Sequence, residues 1–102
     1  MGALAKSSEM TIESAESLGV SALVFLTQDR ERLGRFLSLT GLSPDRLMQE
    51  AAAADTLVAV LEHLLADESL LLTFTASAGV RPDDVQSGRS ALSEHAGREP
   101  TS

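Results

Sequence analysis

The chain has 102 residues, enough for one hydrophobic core and too few for two independent ones. Hydrophobic residues at 43% and charged residues at 23% exclude wholesale disorder, and the absence of cysteine excludes a disulfide framework, a thiolate metal site and a cysteine nucleophile. A net charge of -7 works against nucleic acid and anionic membrane, whose affinity rests on Lys and Arg neutralising phosphates.

Phe25, Phe36 and Phe74 are the only aromatic residues, so the core must be built from Leu, Val and Ala, a composition of helices rather than sheets. Residues 1–10 show no clear periodicity and are expected to form a flexible lead-in to one helical domain over 11–94. From Thr11 the apolar spacing of Ile12, Ala15, Leu18, Ala22, Leu23 and Leu26 predicts a long amphipathic helix, with Glu13, Ser14, Glu16, Ser17 and Ser21 on its polar face. Asp29 is placed to cap a second helix through Leu33, Phe36 and Leu37, which stops at Gly41. Ser43 then caps a third, with Pro44 at its first position and Asp45 favourable to the helix dipole.

The same signals return in the second half. A stop and start at Asp55 leads to a stripe of Leu57, Val58, Val60, Leu61, Leu64 and Leu65. A cap at Asp67 opens a fifth helix carrying Leu70, Leu71, Phe74 and Ala78, which ends at Gly79. Pro82 and Asp83 then open a sixth through Val85, Ala91 and Leu92, and residues 95–102 read as a disordered tail. Sliding the chain by 38 residues pairs Val20 with Val58, Leu23 with Leu61, Leu26 with Leu64, Asp29 with Asp67, Leu33 with Leu71 and Phe36 with Phe74. Gly41 then meets Gly79, Pro44 meets Pro82 and Asp45 meets Asp83. The matches fall on face positions, caps and turns, which are the positions that define a helical unit. The expected fold is therefore all-α, with five to six short helices in two pseudo-symmetric three-helix halves. The halves should pack through Leu23, Leu26, Leu33, Phe36, Leu61, Leu64, Leu71 and Phe74.

The stretch from Ser17 to Ala54, centred on Leu26-Thr27-Gln28-Asp29-Arg30-Glu31-Arg32-Leu33-Gly34-Arg35-Phe36-Leu37, resembles an uncharacterised bacterial family of short helical proteins, domain of unknown function 3572. The stretch from Leu65 to Phe74 resembles it too, and the likeness runs from about Ser17 to Leu92. The resemblance implies the helical fold. It carries no activity, cofactor or catalytic residue to this chain.

Candidate chemistry is sparse. His63 stands four residues before Asp67 with Glu62 beside it, but two ligands do not make a zinc site, and its counterpart at the 38-residue offset is Phe25. The serines lack a Gly-x-Ser-x-Gly elbow, and the glycines stand singly rather than in a phosphate loop, so no enzyme, cofactor or metal is expected. The segment from Phe36 to Ala54 has the apolar spacing and central glycine of a helix-turn-helix, which makes DNA binding the alternative reading. Its last helix offers little beyond Arg46 and Gln49 to bases and phosphates, so nucleic acid is an unfavoured partner.

The favoured reading is a non-enzymatic protein-interaction domain. Val24 and Phe25 on the first helix, and Leu72 beside Leu70 and Leu71 on the fifth, make those helices apolar over more than one face. Phe25 is rotated about 100° from its neighbours at the helical pitch, and its counterpart is the polar His63, so Phe25 is expected near the surface. Val24, Phe25, Arg30, Arg32 and Arg35 form the candidate contact, either with an unknown protein or with a second copy in a weak homodimer. No run approaches the roughly 18 apolar residues of a membrane span and no signal peptide opens the chain, so a cytoplasmic location without membrane attachment is expected.

Overall fold

The computed structural model describes residues 10–98. Among them it shows six helices and no strand: α1 (Ile12–Thr27), α2 (Arg30–Thr40), α3 (Pro44–Gln49), α4 (Ala54–Leu65), α5 (Glu68–Ala78) and α6 (Pro82–Arg98). The expected flexible segment lies, apart from Met10, outside the described residues. Of the expected tail, residues 95–98 belong to α6, which runs on to Arg98, and residues 99–102 lie outside the described residues.

The helix starts follow from cap chemistry. The Thr11 hydroxyl accepts from the Ser14 N–H at 3.0 Å, Asp29 accepts from Glu31 N–H at 2.9 Å, Ser43 from Arg46 N–H at 3.1 Å and Asp67 from Leu70 N–H at 3.1 Å. At α6 the Asp84 carboxylate accepts from the Arg81 N–H at 2.9 Å, the returning bond of a capping box. The start expected at Asp55 falls at Ala54. The cap residue of α4 is Ala53, which makes no side-chain bond, and Asp55 sits in the first turn, where its charge suits the dipole. Helices α2 and α5 both stop at a left-handed glycine, Gly41 at φ 77° and Gly79 at φ 72°.

Helices α1, α4 and α6 pack on one another, and α2 and α5 lean against this trio. Two glycines permit the close approach: a Cβ on Gly19 would stand 2.9 Å from Leu57 Cβ, and one on Gly88 would stand 2.8 Å from Leu18 Cδ2. Ala15, Ala22, Leu26, Leu57, Val60, Leu61, Leu64, Val85 and Leu92 fill the centre, closed by Phe36 and Phe74. Of the predicted packing residues all are buried except Leu33, which is half-buried against the core. Val20 departs from the pattern. It is 42% exposed, although its counterpart Val58 packs against the core.

Two ring contacts and one close approach involve residues that the 38-residue offset pairs. Phe25 meets the Phe74 ring edge-on at 5.3 Å, while His63, at the offset of Phe25, meets Phe36, at the offset of Phe74, also edge-on at 5.3 Å. Gly19 packs on Leu57, its own offset partner. The third helices do not correspond in length, since α3 has 6 residues and α6 has 17.

Candidate functional site

Two surface features bring the candidate residues together. The first is a cleft of about 210 Å³ where the α1–α2 junction faces the α4–α5 junction. Asp29, Arg32 and Arg35 line it from one side and His63, Asp67 and Leu70 from the other. Two of its three lining carboxylates are already employed: Asp29 and Asp67 cap α2 and α5, and Asp29 also lies 4.0 Å from the Arg32 guanidinium, while Glu31 stands in the first turn of α2. The Arg32 guanidinium carbon stands 4.4 Å from the centre of the Phe25 ring, a cation–π contact. Arg35 has no ion-pair partner among the described residues.

His63 Nε2 is buried with no hydrogen-bond partner, and the ring stands edge-to-face with Phe36. Burial lowers the imidazole from its ordinary value. Asp67 opposes that shift and Arg35 adds to it, so His63 is neutral at neutral pH. No Ser, Thr or Cys lines the cleft to serve as a nucleophile. Among the described residues no cluster of three or more His, Cys, Asp or Glu side chains is arranged to hold a metal ion.

The second feature is the outer face of α1. Val24 is 48% exposed and stands one turn from Val20, which borders two grooves. One groove, of about 300 Å³, runs between α1 and α5. The other lies toward Ala52 and Leu57. Leu72, on α5, is 49% exposed.

Phe25 corrects the sequence reading, for it is only 6% exposed and belongs to the core. Rotation away from the Leu18 and Ala22 stripe does not carry it to solvent, because α1 is flanked by α2 and α5 as well as by α4 and α6. Phe74 fills the space on one side of the ring and Arg32 covers another. The argument from His63 fails for the same reason, since His63 is itself half-buried. Of the five candidate contact residues, Arg32 and Phe25 therefore form an internal stack, Arg35 lines the cleft, and Val24 and Arg30 remain exposed. Val20 entered the sequence reading only as the offset partner of Val58. Its spacing of four from Val24 was the available signal.

The segment from Phe36 to Ala54 does not form a long second helix. Helix α3 has only 6 residues, about 9 Å at the helical rise, and the backbone turns over residues 50–52 before α4 begins at Ala54. Arg46, its best cation, donates through Nε and Nη2 to Glu50 at 3.2 and 3.1 Å. Among the described residues no helix is long and apolar enough to cross a membrane. No curated protein and no solved structure matches the chain. A family model for a protein of unknown function, DUF3572, matches residues 12–95, which takes in nearly all of the six-helix domain. The chain belongs to that family.

Proposed function

We propose that this chain is a non-enzymatic protein-interaction domain that engages its partner through the outer face of α1. One observation carries the reading: Val20 and Val24, one turn apart, are 42% and 48% exposed on a helix whose other faces are packed against four neighbouring helices. Apolar side chains grouped on one helical face and bordered by open grooves are the usual anchors of a helix-mediated contact. The cleft at His63 supports the same reading from the other side, since two of its three carboxylates, Asp29 and Asp67, serve as helix caps. A cytoplasmic place of action is part of the proposal.

The test compares the wild type with a Val20→Glu, Val24→Glu double variant, both immobilised and exposed to lysate of the native host. Both side chains are exposed, so the melting temperatures should agree. Proteins retained by the wild type and lost from the variant are expected. Identical retained sets from the two would overturn the assignment of the face.

A further inference from the structure

The outer face of α1 has a composition that fits a second copy of itself. Glu13, Ser17, Val20, Val24 and Thr27 follow one another at spacings of four and three, the repeat of a helix–helix seam, and all five are exposed. The two valines lie at its middle. The Thr27 hydroxyl already donates to the Val24 carbonyl at 2.7 Å, so covering it strands no donor. One end of the seam is acidic, at Glu13, and beyond the other end α2 starts with Arg30. Neither Glu13 nor Arg30 has an ion-pair partner among the described residues.

We infer that α1 forms an antiparallel two-fold contact with α1 of a second copy, centred at the level of Ala22. The inference rests on the reading of this face as an interaction surface and names its partner. In that register Val20 of each copy lies beside Val24 of the other, and Ser17 lies beside Thr27, so the apolar pair is used twice about the axis. Glu13 of each copy reaches past the end of the opposite α1 to the start of the opposite α2, where Arg30 stands. A parallel pairing would set Glu13 against Glu13 and leave both arginines unmatched, so charge selects the antiparallel arrangement. Phe25 takes no part in the contact, because it lies beneath Arg32 and against Phe74.

Sedimentation equilibrium of the full chain from about 10 μM to about 1 mM tests this, a range that spans the affinities of weak dimers. The wild type should pass from the mass of one chain toward that of two as concentration rises. Val24→Glu should weaken association by about tenfold or more, since it brings a carboxylate into an apolar seam on each side of the axis. Arg30→Glu should weaken it by a smaller factor, and adding Glu13→Arg to Arg30→Glu should restore it. A wild type that stays monomeric at about 1 mM overturns the inference, and so does a dimer indifferent to both Val24→Glu and the charge exchange. If the monomeric wild type still retains proteins that the Val20→Glu, Val24→Glu variant loses, the interaction surface stands and only the second copy falls. If the retained sets are also identical, both fall.

Discussion

At the scale of single residues, His63 and the glycines make the sharpest predictions. Burial holds the folded His63 imidazole below 6.5, so the unfolded chain takes up a proton first as pH falls. Its contribution is therefore fully present above the unfolded value and is lost as pH descends through it toward the folded one. His63→Phe, which installs the residue found at the offset position, should lower the melting temperature less than the wild type between pH 7.5 and pH 5, as thermal melts at the two pH values will show. Equal losses would mean that the imidazole is not the titrating group. Gly34 is exposed in mid-α2 with nothing within 4 Å of an added Cβ, so Gly34→Ala should stabilise by about 0.5 to 1 kcal/mol through helix propensity alone. Gly19→Ala meets the Cβ of Leu57, which cannot swing aside, and should cost about 1 to 3 kcal/mol by forcing α1 from α4. Denaturant midpoints that moved the same way for both glycines would contradict this packing. The residue scale is also where the sequence was hardest to read: Phe25 and Val20 exchange their expected exposures, because helical periodicity reports one buried face and α1 has several neighbours.

At the scale of the element, most of the fold was legible. Thr11, Asp29, Ser43 and Asp67 act as caps because a short polar side chain there answers an N–H that no carbonyl can reach, and Gly41 and Gly79 stop helices because their φ is positive. These are local effects, and local sequence carries them. Ser43→Ala and Asp67→Ala should each cost about 1 kcal/mol in chemical denaturation. The start of α4 was harder, since Ala53 offers no side-chain bond to announce it. Phe36 and Phe74, 0% and 1% exposed, should each cost about 3 to 5 kcal/mol on replacement by Ala. Melting temperatures within a degree or two of wild type would show that neither ring closes the core.

At the scale of the whole molecule, α6 is the element on which the others depend. It packs along both α1 and α4 and contributes Val85 and Leu92, each 0% exposed. A chain ending at Arg81 should therefore lose its cooperative thermal transition while keeping part of its helical circular dichroism, whereas a sharp transition would show that the first five helices suffice. The sequence marked where α6 begins, at Pro82, yet not its role, because which helices become neighbours depends on long-range packing that no single segment encodes. The site was legible only in part for the same reason: Val24 and Arg30 stay exposed as their sequence suggested, while the Arg32–Phe25 stack and the His63–Phe36 contact join residues from different helices. The contact of Gly19 with Leu57 has a further consequence. Two identical units meeting across an axis must present the same residue from both sides, so this point would hold either two glycines around a void or two leucines in collision. Carrying both positions on one chain lets one side recede and the other fill the space, an arrangement that exact symmetry forbids.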